Sequence, residues 1–519
     1  MHTPKIDRAN FTIAIFVVFM VGLPLFIWPS ASGDLILQIY NWIADHFGLA
    51  YQWGVIGITI FLVWLAFSPY GKIKLGGAAA EPEFSTFSWF GMLFSAGVGA
   101  GLLYWAPIEW AFYFTDPPFG AEPRSVAAYQ WATSYGLFHW GIAAWAIYAL
   151  PTIAIAYPYY NQKARHLRLS TAFHGMLAQN TLPAQNNMSQ TTQDMPHTTQ
   201  DILSRLLDFL FMLALLAGAG TSMGLAIPMV SDCLALLFDI DRSKMLDMGV
   251  VLICVALFAF SVYWGLEKGI RKLADLNIIL AILFLIIVLC IGPTIFILRL
   301  GTESIGFMFA NFISMLTYTE SLERSPFVKD WTIFYWAWWF AYAPFIGLFI
   351  ARISRGRTLR QVILSMCFFG SLGSWLFFLI IGNYALHLDL KMILDVTTMV
   401  QTNPSRAVAE IIATLPLRHF MLGIFILLSI IFIATTYDSA SYSLASAASR
   451  KLAIGSHPAR WHRMFWAFVL GFLPLALLSV SGGIKTAKSL VLVASLPILI
   501  ISAIMCFSLL KSLRQSHAH

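Results

Sequence analysis

The feature that most constrains this chain is a series of long apolar blocks, each close to the length that a bilayer demands. A transmembrane helix needs about 20 mostly apolar residues. Blocks that meet this test lie at roughly 11–29, 52–70, 88–115, 126–157, 205–236 and 247–266. They continue at roughly 274–299, 331–352, 359–386, 420–448, 462–482 and 486–511. Only 11% of the 519 residues are charged, less than half the roughly 25% of a soluble domain. So few charges cannot cover a water-facing surface, and the remainder must face lipid. The expected fold class is an all-α polytopic membrane protein of about 12 transmembrane helices, forming one domain over 1–519. The first block, Phe11–Trp28 behind Lys5 and Arg8, exceeds a signal-peptide core of about 7–15 residues and reads as the first span.

The net charge of +7 comes from short Lys/Arg clusters between the apolar blocks. No continuous basic stripe exists, so no nucleic-acid partner is expected. With a cytoplasmic N-terminus and alternating spans, the inside loops collect Lys72/Lys74, Lys163/Arg165/Arg168 and Lys268/Arg271/Lys272. They also collect Arg352/Arg355/Arg357/Arg360 and Arg450/Lys451/Arg460/Arg463, the bias that orients membrane helices. This predicts a multi-pass protein of a bacterial inner (plasma) membrane with both termini cytoplasmic. The cysteines Cys233, Cys254, Cys290, Cys367 and Cys506 form no C-x-x-C pair, so neither a disulfide framework nor a metal cofactor is expected.

Two connections stand out. Gln179–Gln200 is rich in Gln, Asn and Thr and reads as a poorly ordered cytoplasmic loop. Gly301–Lys329 is half apolar yet too polar to span, which predicts an interfacial amphipathic helix on the outer side.

Three constellations could carry chemistry. In the third span, Phe94–Glu109 alternates Gly97, Gly99 and Gly101. Glycines there either unwind the helix, so that its carbonyls can bind a cation or substrate, or permit close helix–helix contact. Aromatic residues crowd two spans at central depth: Trp140, Trp145 and Tyr148 in the fourth, and Trp338, Trp339 and Tyr342 in the eighth. Interfacial belts sit at the headgroups, so these six are either core packing or a cage for a cation with no hydrogen to donate, such as a trimethylammonium group. The tenth span carries Thr435, Thr436, Asp438, Ser439 and Ser441. Its hydroxyls could ligate Na+, or could bond back to their own helix; an intramembrane carboxylate such as Asp438 is costly and usually functional. Glu109 is expected near the outer end of the third span, where it meets water. His139 reads as a proton carrier or as a hydrogen-bonded packing residue.

Trp331–Arg360, the FHW…W..Y pattern of the fourth span and the GxGxG of the third together resemble the betaine/carnitine/choline transporters, in family order and spacing. The resemblance implies a five-plus-five inverted repeat (leucine-transporter-like). Residues 1–75 would form two peripheral helices, 88–299 the first repeat with the polar loop 179–200, 301–329 a periplasmic amphipathic helix, and 331–511 the second repeat. It implies a homotrimer in lipid and an aromatic substrate box of Trp140, Trp145, Tyr148, Trp338, Trp339 and Tyr342, with Gly97, Gly99, Ala100 and Gly101 beside it. Tyr342 stands where glycine-betaine members have a third Trp and the carnitine branch has Tyr. Ala100 stands where choline-selective members carry Asp.

The family's second sodium site matches Ser95, Val98, Phe432, Thr435 and Thr436, although Val98 replaces the usual Met. The sodium-independent exchangers put Arg at the position of Asn277 and Met at that of Ile346. Absence of both surrogates implies sodium as coupling ion. The short tail after Leu510, KSLRQSHAH, lacks the charged extension of osmoregulated members. The expected function is uptake of a small quaternary-ammonium solute. Competing readings are substrate exchange of the carnitine/butyrobetaine type, a membrane enzyme using Glu109, His139 and Asp438, and a non-transporting sensor. No nucleophile motif or soluble signalling domain supports the last two.

Overall fold

The computed structural model describes residues 6–162, 164, 167–177, 199–263, 267–322, 325–449, 457–478, 480 and 483–517. Among these the chain is helical almost throughout, and its only β-pairings are two isolated bridges, Ile6 with Ser449 and Lys74 with Thr358. Ten helical stretches are long and apolar enough to cross a membrane. The two other expected spans are helical as well. The sixth is Lys244–Tyr263, and the third is broken into Thr86–Ala96, Ala100–Trp105 and Glu109–Thr115. The protein is therefore a polytopic all-α membrane protein.

Burial separates the rim of this bundle from its centre. Only 28% of the first span's apolar window lies inside the protein, against 94% for the stretch Val126–Asn161 that forms the fourth. The apolar side chains left outside include Phe16, Met20, Trp53 and Ile60; in water they would be a liability, whereas against lipid they match their solvent. The second helix, Pro29–Phe67, begins well before the expected span and runs 39 residues. At 1.5 Å per residue that is about 58 Å, nearly twice a bilayer's hydrocarbon core.

Two boundaries differ from expectation for local reasons. The seventh span stops at Ile291, because Pro293 supplies no amide hydrogen to continue the ladder. A separate helix, Thr294–Ala310, then leads into the short helix Phe312–Thr317, so the segment expected to be helical from Gly301 starts seven residues earlier, at Thr294. The polar loop expected at 179–200 falls outside the described residues up to 198, and helix resumes at Thr199.

The central helices carry their own irregularities. The fourth span divides at Trp140–Gly141 into Val126–His139 and Ile142–Asn161. The eighth enters through a π turn, Val328–Ile333, before the α-helix Phe334–Ile353. The ninth is interrupted by π turns at Met366–Gly370 and Phe378–Gly382. Such turns recur at functional sites. The second half of the fourth span packs along the eighth, and the fifth, Thr199–Phe238, packs against the tenth and twelfth.

Candidate functional site: an aromatic cavity at the broken helices

The three glycines of the third span do different work. Thr86–Ala96 ends at Gly97, Gly99 is extended, and helix resumes at Ala100. Gly97 and Gly101 are close-contact positions: a Cβ on Gly97 would lie 2.6 Å from the Gly370 carbonyl, and one on Gly101 3.2 Å from the Trp338 ring. Gly99 faces open space. The break and the tight packing thus coexist in one motif.

A cavity of about 1010 Å³ opens at this break. Its wall includes Gly97, Gly99, Ala100 and Gly101 from the third span. The fourth span adds Trp140, Trp145 and Tyr148, and the eighth adds Trp338, Trp339 and Tyr342. The Trp338 and Trp339 rings stack at 5.4 Å between centroids, with 4° between their planes. Trp140 meets Trp339 edge-on at 4.8 Å and Trp338 at 6.0 Å. Tyr148 stands edge-on to Trp339 at 5.9 Å and to Trp145 at 5.4 Å. Trp145 fills a slot made by missing side chains, since a Cβ on Gly370 would reach within 2.2 Å of its ring. Trp338 Nε1 is buried and has no hydrogen-bond partner among the described residues.

The five residues matched to a cation site, Ser95, Val98, Phe432, Thr435 and Thr436, line the same cavity. Thr435 Oγ1 donates to the Ile431 carbonyl at 2.9 Å, and Thr436 Oγ1 to the Phe432 carbonyl at 2.8 Å. Ser95 Oγ likewise donates to the Met92 carbonyl at 3.0 Å. Back-bonding and cation ligation do not exclude each other. A hydroxyl whose hydrogen is spent on its own helix still presents oxygen lone pairs, the hard-donor set that suits an alkali cation. Asn277 and Ile346 also border the cavity, and Asn277 Oδ1 is buried without a partner among the described residues.

Glu109 corrects the expectation of a water-facing carboxylate. It is fully buried and outside the cavity wall, because the third span breaks again at Pro107 and turns Glu109–Thr115 inward. Three donors converge on it. Tyr113 Oη donates to Oε1 at 2.6 Å, Trp140 Nε1 donates to Oε2 at 3.0 Å, and the Tyr335 hydroxyl also donates to Oε2. His139 is tied into the same cluster. Its Nδ1 lies 3.0 Å from Tyr113 Oη, its Nε2 3.1 Å from Thr332 Oγ1, and its carbonyl accepts from Trp339 Nε1 at 2.8 Å. Two of the box indoles are therefore pinned by this one polar cluster.

Asp438 borders the cavity in an ion pair with Arg463 at 2.8 Å. Glu109 and His139 both bond Tyr113 Oη, whereas Asp438 pairs with Arg463. The cavity continues from the aromatic box to Glu83, Arg168, Arg352, Arg355 and His457. On its opposite side, buried Trp105, Tyr113, Trp331 and Tyr335 close over the box. Lys488 adds a cation to that lid. Its Nζ stands 3.6 Å from the Trp331 ring centre and 4.5 Å from that of Phe334, and it donates to the Asp330 carbonyl at 3.1 Å. Sequence reasoning missed Lys488, Tyr335 and the cavity-lining Ser222; a lone polar residue in an apolar run carries no pattern that marks its partner.

A polytopic helical bundle whose broken helices surround one large internal cavity is the layout of a secondary transporter. The profile of the betaine/carnitine/choline family transporters (BCCT) matches residues 9–518, and the chain belongs to that family. It is 33% identical over 513 residues to the carnitine transporter of Acinetobacter baumannii, an alignment covering 99% of this chain and 90% of that protein.

Proposed function

We propose that this protein is a secondary active importer, not an enzyme, of a small quaternary-ammonium solute such as glycine betaine or carnitine, coupled to Na+ and working by alternating access. One observation carries the reading. Aromatic residues from the fourth and eighth spans, remote in sequence, converge on a single cavity beside the unwound third span. A quaternary ammonium offers no N–H to donate, so a protein recognises it with ring faces, worth about 2 kcal/mol or more when desolvated. The similarity to a carnitine transporter supports carnitine as a candidate solute.

Sodium coupling is supported by the hydroxyl oxygens of Thr435 and Thr436 at the cavity wall and by an uncharged residue, Asn277, where a fixed guanidinium would replace the ion. The charge bias supports an inner-membrane protein with cytoplasmic termini. The cavity runs toward the basic inside loops and is closed on the other side, which supports an inward-facing state. Family membership supports a homotrimer. The alternative is sodium-independent exchange of one trimethylammonium compound for another.

Titration calorimetry on the purified protein tests the solute class. Carnitine or glycine betaine should bind, and Trp338→Ala or Trp339→Ala should weaken binding by at least about tenfold. Unchanged affinity in both variants would remove the box from the site.

A further inference from the structure

Glu109 is separated from the cavity by one indole, and the hydrogens around it can be counted. In the structure it only accepts: Tyr113 donates to Oε1 at 2.6 Å, and Trp140, at 3.0 Å, and Tyr335 donate to Oε2. Tyr113 owns a single hydroxyl hydrogen and spends it on Glu109. His139 Nδ1, 3.0 Å from Tyr113 Oη, is therefore the donor of their contact. A neutral imidazole protonated at Nδ1 keeps a lone pair at Nε2, and Thr332 Oγ1 meets that atom at 3.1 Å. Every hydrogen of this chain points toward Glu109, from Thr332 through His139 and Tyr113. The titratable groups packed on the cluster from other positions are Tyr135, 5.1 Å from His139 between ring centres, Tyr335, and Lys488, whose field reaches both Glu109 and His139.

The same chain is satisfied with its polarity reversed. A proton from water taken up at His139 Nε2 lets the Nδ1 hydrogen pass to Tyr113 Oη and the Tyr113 hydrogen pass to Glu109 Oε1. The new O–H of Glu109 then donates to Tyr113, Tyr113 donates to Nδ1, and Nε2–H donates to Thr332, whose hydroxyl can turn to a carbonyl of its own helix. The net change is one proton gained by Glu109, with His139 neutral before and after and no hydrogen left unmatched. Trp140 alone cannot reverse, since an indole nitrogen donates and never accepts. Its bond to an ionised carboxylate is roughly twice as strong as one to a neutral acceptor. An ionised acceptor also polarises the indole and enriches the ring face at the cavity, the face that a quaternary cation would meet. Proton and cation thus compete across one ring.

We propose that Glu109, with Tyr113 and His139 as its relay, is a proton-binding site linked to the solute site through Trp140, so that solute binding releases the proton and acid loosens the solute. This rests on the quaternary-ammonium reading above.

The test is binding of carnitine and of glycine betaine to the full-length purified protein from about pH 8.5 to about pH 5.5, where a free carboxylate of either solute stays ionised. Wild-type affinity should fall by roughly tenfold across this range, and at intermediate pH an indicator dye in weak buffer should report up to about one proton released per solute bound. Glu109→Gln takes up no proton, and its amide carries one hydrogen more than the acid. It should bind weakly at every pH, with a flat profile and no release. Tyr113→Phe leaves Glu109 able to titrate but deprives its charged form of one donor, so affinity should begin to fall about one pH unit higher. A flat wild-type profile, equal proton release from wild type and Glu109→Gln, or an unmoved profile in Tyr113→Phe would each overturn the proposal. The last readout decides alone if Glu109→Gln does not fold. Wild type that binds neither solute at any pH sinks the quaternary-ammonium reading instead, so the two failures are distinct.

Discussion

The indole nitrogen of Trp140 stands 3.0 Å from Glu109 Oε2, and through this bond a wall of the cavity is held by a buried carboxylate that never reaches the cavity itself. All three side chains on Glu109 are donors, so the site needs a group that only accepts. Glu109→Gln sets an amide NH₂ against one of them. The expected cost is about 1–3 kcal/mol of stability, read as a lower midpoint of thermal unfolding, together with weaker solute binding from a displaced Trp140. A variant that melts and binds like wild type contradicts the pinning role.

Glycine positions separate tight packing from open space. Gly370→Ala drives a methyl to within 2.2 Å of the Trp145 ring, whereas a Cβ at Gly91 meets nothing within 4 Å. Gly370→Ala should therefore abolish solute binding or folding, by overpacking costs of about 1–3 kcal/mol or more. Gly91→Ala should leave both intact. Size-exclusion profiles and binding titrations of the two variants check the contrast.

The proposed sodium coupling has its own test. Thr435→Ala with Thr436→Ala removes two oxygens from the cavity wall and should raise the sodium concentration for half-maximal uptake by roughly tenfold or more. Asn277→Arg places a permanent cation in the same wall and should make whatever transport survives independent of sodium. Unaltered sodium dependence in both variants would dismiss this assignment.

Lys488 closes the other side of the box. Its ammonium lies over Trp331 and Phe334, a contact worth about 2 kcal/mol when desolvated. Lys488→Met fills similar space without the charge and should loosen the lid. Hydrogen–deuterium exchange over residues 327–335 should accelerate by about tenfold; unchanged exchange would mean the cation does not hold the closure.

Much of this site was legible because its signals are local. The glycine alternation at 97–101 marked a helix break, and the aromatic clusters at 140–148 and 338–342 marked one cavity from two distant segments. Asp438 was legible as costly, but its partner Arg463 lies 25 positions away on another helix, and no spacing rule joins them. Glu109 was misjudged because depth was counted along one straight helix, whereas Pro107 ends that helix and turns the next one inward. Ser222 was invisible for the same kind of reason: its contact with Tyr342 exists only where the fifth and eighth spans touch.

We propose that the aromatic box serves sodium-driven uptake of a quaternary-ammonium solute. Its most direct test is uptake of labelled carnitine and glycine betaine into proteoliposomes, with an inward sodium gradient or with none. Accumulation above the external concentration is expected only when the gradient is present, for at least one of the two solutes. Equal exchange of internal for external solute without sodium would contradict the coupling, and no transport of either solute would contradict the substrate class.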